Sequence, residues 1–174
     1  MKAAVIVGIL IVVVAALLWM RKSPEQARLE GPVSSWKIPD SWSIGRGDRD
    51  GKPIITRFNL GLRPLIGNPA FKKQLGIAVP FTHPTDNGLP GSQESEQLYK
   101  LEDEIGRRFS AGNESLLAGI ITTGNMREFV LYTSDESAAV AKAEQLAKDI
   151  NHHTVQYVVN DDPEWKVFKQ IAGL

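Results

Sequence analysis

The longest apolar run in the chain is its first: from Ala3 to Met20 no side chain is charged, and most are Val, Ile or Leu. As a helix rising about 1.5 Å per residue this run spans about 27 Å, close to the hydrocarbon thickness of a bilayer, about 30 Å. Trp19 sits where an interfacial aromatic belongs, and Arg21 and Lys22 end the run. A cleaved signal peptide has a shorter apolar core followed by paired small residues, which the stretch from Leu17 to Lys22 does not offer. Residues 3–20 therefore read as a single transmembrane helix, a membrane contact in its own right, in a bacterial inner membrane. Arg21, Lys22 and Arg28 follow it while Lys2 and the amino terminus precede it, a balance that leans toward a cytoplasmic C-terminal domain. Residues 21–35, with Pro24, Gly31, Pro32 and Ser34-Ser35, have no period and read as a linker. A soluble domain over 36–174 follows.

Within that domain the periods change repeatedly. Trp42–Ile44 and Ile54–Leu60 read as arms of a β-hairpin around a glycine- and aspartate-rich loop, residues 45–51, so Arg46-Gly47-Asp48 reads as part of a turn. Leu75, Ile77, Val79 and Phe81 alternate as one face of a strand. Leu98, Leu101, Ile105 and Phe109 recur at helical spacing from Ser92 to Phe109, with Ser92 as N-cap, acids early (Glu94, Glu96) and bases late (Arg107, Arg108). Leu116–Thr123 is a buried strand, Gly124-Asn125 a two-residue turn, and Met126–Thr133 the returning strand. Thr133-Ser134-Asp135-Glu136 matches a capping box that opens a helix to about Ile150, with Val140, Ala143, Ala147 and Ile150 as its stripe. Thr154–Val159 is a last strand, and Asp162-Pro163 opens a short terminal helix. From residue 75 the order is β-α-β-β-α-β. The fold expected is thus α+β: a ferredoxin-like core with an N-terminal β-hairpin, preceded by one transmembrane helix. Leu101, Ile105, Ile120 and Phe129 should share one core.

Charge and composition narrow the chemistry. The chain has 174 residues, one domain's worth, and 20 basic side chains against 20 acidic ones. Its first 30 residues hold Lys2, Arg21, Lys22 and Arg28 but only Glu25 and Glu30, so the remainder is slightly acidic. Such a domain has no field to concentrate nucleic acid, and no nucleic-acid partner is expected. The absence of cysteine excludes disulfides, thiolate zinc sites, iron–sulfur clusters and a cysteine nucleophile. No cofactor is implied.

The candidate sites are few. His152-His153 lies near Asp161, Asp162 and Glu164 in sequence, but neighbouring residues entering a strand point to opposite faces, which opposes a shared metal. His83 has only Ser92 as a nearby hydroxyl, and that serine is explained as a helix cap. Glu102, Asp103 and Glu104 could supply carboxylates, with Glu102 nearest the buried edge and in reach of Arg127 or Arg57. Arg127 stands in an otherwise apolar strand and must meet a carboxylate or line a polar pocket. The loop Asn87-Gly88-Leu89-Pro90 leads into a helix N-terminus, where backbone amides can receive an anion. The candidate ligand- or partner-binding residues are therefore Arg57, Asn59, Asn87, Gly88, Glu102 and Arg127, and no catalytic motif emerges. A membrane-anchored, non-enzymatic interaction or regulatory module with a protein partner is the leading expectation. The alternative is a small-ligand-binding or hydrolytic domain with a polar pocket around Arg57, Asn59, Glu102 and Arg127. Clustering of those four would favour the alternative, and scattering the first.

Four stretches carry a family resemblance: Arg57-Phe-Asn-Leu-Gly-Leu62; Asn87-Gly-Leu-Pro90 with Leu98-Tyr-Lys-Leu-Glu-Asp103; Arg127-Glu-Phe-Val-Leu-Tyr132; and Asp162-Pro-Glu-Trp165. Together, over roughly residues 40 to 172, they resemble the bacterial domain-of-unknown-function family six-ninety-five. The C-terminal half also resembles the regulator of ribonuclease activity B, a small ferredoxin-like inhibitor. The first resemblance implies no reaction. The second implies an inhibitor-like role, from which this chain departs in lacking a strong acidic excess and in its tether.

Overall fold

The computed structural model describes Leu29 and residues 31–174. The stretch read as a transmembrane helix, residues 3–20, lies outside them, as does most of the linker. Among the described residues no helix is long and apolar enough to cross a membrane. The chain divides into two compact units, Met1–Lys37 and Ile38–Leu174. In the first, Val33–Ser35 forms a single 3-10 turn, with the Ser35 hydroxyl donating to the Pro32 carbonyl at 2.7 Å.

The second unit is a mixed α+β fold. In chain order it contains β1 (Trp42–Arg49), β2 (Lys52–Asn59), a 3-10 segment (Leu60–Leu65), β3 (Lys73–Pro80) and α1 (Ser92–Phe109). It continues with β4 (Ser115–Thr123), β5 (Met126–Thr133), α2 (Glu136–Asp149), β6 (Gln156–Asp161) and α3 (Lys166–Ala172). The strands form one six-stranded sheet in the order β1-β2-β4-β5-β3-β6, and every neighbouring pair is antiparallel.

The period-2 and helical faces meet as burial requires. Leu75, Ile77 and Val79 of β3, Phe129 and Leu131 of β5 and Ile120 of β4 pack with Leu98, Leu101, Ile105 and Phe109 of α1 and Ala139, Ala143 and Leu146 of α2. Leu101, Ile105, Ile120 and Phe129 do lie in this one core. The opposite face carries α3. Gly119 lets α3 approach closely: a Cβ there would overlap the end of the Ile171 side chain and lie 3.2 Å from the Arg57 carbonyl oxygen. Trp165, fully buried, stacks on Tyr132 with ring centres 3.8 Å apart and donates from its indole nitrogen to the Phe71 carbonyl at 2.9 Å.

Several local expectations need correction. The first hairpin is longer and its turn tighter, because Asp50 and Gly51 adopt φ of 55° and 76° and close a two-residue turn. Arg46-Gly47-Asp48 consequently lies inside β1, paired with Ile55, Ile54 and Pro53, and not in a loop. The cap of α1 is Gly91, with Ser92 its first helical residue. The cap of α2 is Asp135, whose carboxylate accepts from the Ala138 N–H. Thr133 is instead fully used at the end of the interior strand β5, accepting from Ser115 Oγ at 3.0 Å and from the Asp135 N–H at 3.2 Å. The buried stripe of α2 is Ala139, Ala143 and Leu146, because the one large aliphatic side chain, Leu146, sets the face and leaves Val140, Ala147 and Ile150 at its margins. The last strand begins two residues later than expected, in register with Lys73–Ala78 of β3. The terminal helix starts only at Lys166 with Trp165, not Asp162, as its N-cap and Pro163 outside it, although the Asp162 carboxylate accepts from the Lys166 and Val167 N–H groups at 2.7 and 3.1 Å.

Candidate functional site

Strand register brings two arginines from distant parts of the sequence to one place. Ile55 of β2 lies opposite Thr122 of β4, which lies opposite Arg127 of β5, which lies opposite Val79 of β3. The next row on the same face reads Arg57, Ile120, Phe129, Ile77. Since side chains alternate between faces, both rows point toward the helical layer, and Arg57 and Arg127 are near neighbours across β4. Along α1, Ser95, Tyr99 and Glu102 are spaced by four and three residues and so share one flank beside the buried stripe. That flank faces β2.

Between them lies a cleft of 240 Å³ lined by Arg57, Leu89, Ser95, Tyr99, Thr122 and Arg127, with Ile55, Ile120 and Pro90 completing its walls. Arg57 is matched: its Nη1 donates to both oxygens of Glu102, at 2.8 and 2.9 Å, and its guanidinium lies 5.4 Å from the centre of the Trp42 ring. Arg127 is not. It is only 6% exposed, yet the hydrogen bond the structure gives its side chain is from Nε to the Thr122 hydroxyl at 3.2 Å. Its Nη1 is buried without a partner among the described residues. The exposed Tyr99 ring covers it, centroid to guanidinium 5.2 Å. Burial lowers the Arg127 pKa, opposed by the Glu102 carboxylate and Tyr99 and aided by the Arg57 charge. The cluster holds two guanidinium charges against one carboxylate.

Of the other residues singled out from sequence, Asn59 lies two residues beyond Arg57 but has a structural task. Its side-chain oxygen accepts from the Ser41 and Gly61 N–H groups at 3.0 and 2.9 Å. It lines a separate groove of 460 Å³ with Trp42, Glu102 and Asp103, on the other side of the Arg57–Glu102 bridge. Asn87 and Gly88 do not line the cleft. The Asn87 oxygen accepts from the Thr85 hydroxyl at 2.6 Å and the Leu89 N–H at 3.3 Å, which shapes the loop that delivers Leu89 and Pro90 to the cleft wall. Gly88 has φ +76°, and a Cβ there would approach the Asn125 side chain to 2.9 Å. Asp103 is exposed, while Glu104 bridges Arg107 and Arg108 at 2.6 Å each, and Arg108 continues to Asp149 at 2.8 Å, tying α1 to α2.

The carboxylate of Glu94, in the first turn of α1, reaches out of the helix to the loop that follows β3. Glu94, 5% exposed, accepts from the Thr82 N–H at 2.5 Å, the Thr82 hydroxyl at 3.0 Å and the His83 N–H at 3.3 Å, and meets His153 Nε2 at 3.2 Å. Burial raises its pKa, and these hydrogen bonds outweigh that and hold it lowered. The His152 and His153 rings meet edge to face with centres 5.1 Å apart, but His153 is buried against Glu94 while His152 is exposed beside His83 and Ser92. Among the described residues no group of three or more histidines and carboxylates is arranged to hold a metal.

Sequence reasoning missed Ser95, Tyr99 and Thr122 in the cleft, and Glu94 with His153 beside it. The first two were findable, since they extend Glu102 into a helical stripe adjoining the apolar one. Thr122 follows from the Gly124-Asn125 turn, which places it opposite Arg127. No curated protein matches the chain. Its residues 40–171 match a family model over the whole sheet and helical layer, and the chain belongs to that family, DUF695, a family of unknown function.

Proposed function

We propose that the protein is a membrane-anchored, non-enzymatic binding module, and that it receives an anionic group, from a small ligand or a partner protein, in the cleft lined by Arg57, Tyr99 and Arg127, with Glu102 holding Arg57 in place. The observation that carries this reading is Arg127: a guanidinium 6% exposed, with a buried Nη1 that no described residue accepts from. Leaving such a donor unmet costs about 1–3 kcal/mol, more for charged groups, and a fold retains that penalty most readily where a ligand relieves it. Two of the four residues of the expected pocket, Arg57 and Arg127, line this cleft, and a third, Glu102, is bonded to Arg57 from the neighbouring groove, which favours ligand binding over scattered surface roles. A hydrolytic role has less support, since no nucleophile with an adjacent base lines the cleft among the described residues.

Two coarser expectations belong to the same reading. The order β4-β5-β3-β6, with α1 after β3 and α2 after β5, supports a ferredoxin-like core to which the β1–β2 hairpin adds two strands. The charge-free stretch 3–20 supports a single-pass anchor, with the domain on the cytoplasmic side of a bacterial inner membrane.

Thermal melts of the full-length protein in mild detergent, across carboxylate, phosphate and sulfate salts at matched ionic strength, test the binding. At least one anion should raise the midpoint of the native protein and fail to do so in Arg127→Met. Equal shifts in both would overturn the proposal. The anchor is checked separately, by whether the native protein resists alkaline carbonate extraction from membranes.

A further inference from the structure

Resting on the anion-binding reading above, the geometry points to a ligand class: we infer that the cleft takes a monocarboxylate carried on a short apolar body, whether a small organic acid or the end of a peptide chain. Charge is the first argument. Glu102 neutralises Arg57 through both carboxylate oxygens, leaving one uncompensated positive charge, that of Arg127. A monoanion balances it. A dianion brings a second charge into a low-dielectric site with the Glu102 carboxylate close by, and like charges there repel strongly.

The donors suit a carboxylate. Arg127 Nη1 is buried without an acceptor among the described residues, and the Thr122 hydroxyl, which accepts from Arg127 Nε, keeps its own proton to donate. The Ser95 hydroxyl lines the same cleft. One guanidinium N–H and two hydroxyls can cover the two oxygens of a carboxylate, whereas three or four phosphoryl oxygens would keep unmet acceptors. The remaining wall is apolar: Ile55, Leu89, Pro90 and Ile120, with the Tyr99 ring at the mouth. At 240 Å³ the cleft lies below the range of about 300–1,000 Å³ typical of drug-sized ligands, which limits the apolar body to a few carbons.

The experiment is calorimetric titration of the full-length protein in mild detergent with isovalerate, N-acetylleucine, N-acetylleucinamide, succinate and inorganic phosphate. Isovalerate, N-acetylleucine or both should bind at least tenfold tighter than the amide, succinate and phosphate. Preference for N-acetylleucine assigns the chain-end source, and preference for isovalerate the small acid. Arg127→Met should abolish the binding. Tyr99→Ala, at an exposed position, should weaken it several-fold, and the near-ultraviolet circular dichroism of both variants reports folding. Phosphate or succinate binding as tightly, and still depending on Arg127, overturns the monocarboxylate assignment while leaving the anion-binding reading standing. Binding of none of these ions, or binding unchanged in both variants, overturns the two together.

Discussion

Replacing Arg127 by methionine should stabilise the unliganded domain. The substitution keeps a long, flexible side chain on β5 and removes a charge that is 6% exposed and has no carboxylate within ion-pair distance among the described residues. Relief of the unpartnered Nη1 is worth about 1–3 kcal/mol. Against it stand the bond to Thr122, about 1 kcal/mol, and the interaction with the Tyr99 ring, about 0.5–1 kcal/mol at a partly exposed site. The methionine also adds apolar contact with Ile120, Leu89 and Pro90 along the cleft wall. The polar terms sum to between about −1 and +1.5 kcal/mol, the apolar contact tips the balance to a gain, and each kcal/mol gained moves the thermal midpoint of a domain this size by about 2–5 °C. Urea unfolding followed by tryptophan fluorescence, at constant m, measures the change directly, because Trp165 is buried in the fold. A loss of more than about 2 kcal/mol would refute the reasoning, since it would make Arg127 a structural strut whose charge is met in the native state. A gain, combined with lost anion binding, is the signature of a residue kept for function at the expense of stability.

Three further outcomes are expected. A double-mutant cycle on Arg57→Met and Glu102→Gln should return a coupling of about 1–2 kcal/mol, above the 0.2–1 of exposed pairs, because the side chains are 34% and 15% exposed; a value near zero would remove the bridge as a fixed wall of the cleft. Burial raises the pKa of Glu128, so its carboxylate is harder to ionise in the fold than in the unfolded chain. The resulting penalty is absent below the ordinary glutamate range, grows as pH rises from that range toward the raised folded value and levels off above it, so Glu128→Gln should gain stability over the native protein between about pH 4 and pH 7 and be indistinguishable from it near pH 4. Chemical unfolding at the two pH values decides this, and a difference that grows toward acid would reverse the assignment. Leu101→Ala, at a position 2% exposed in the core, should cost about 2–5 kcal/mol by urea unfolding, and a cost under half a kcal/mol would mean the helix face is wrongly placed.

Much of the helical layer and the second hairpin was legible in the residues alone, because their cause is local. Leu98, Leu101, Ile105 and Phe109 can share a face only if the segment is helical, and Gly124-Asn125 supports positive φ at both turn positions, which forces Thr122 opposite Arg127. Caps were less legible, since Thr133, Asp135, Gly91 and Ser92 are all plausible helix starts, and the choice fell to Asp135 once Ser115 and the Glu114 carbonyl beside β5 had engaged the Thr133 hydroxyl. The first hairpin failed for a related reason: seven residues rich in glycine and aspartate hold several possible turns, and only pairing with β4 and the close of Asp50-Gly51 select one. The cleft itself was decided by tertiary structure. Arg127 announced from sequence that it needed a carboxylate or a polar pocket, and Arg57 and Glu102 were natural suspects for an ion pair. Which arginine took Glu102 depended on β2 lying beside β4, a contact between segments more than sixty residues apart. No local propensity encodes that register. It is set by the burial of Ile120, Phe129 and Ile77 in one cross-sheet row, and Arg57 and Arg127 are carried to the cleft as consequences of that packing.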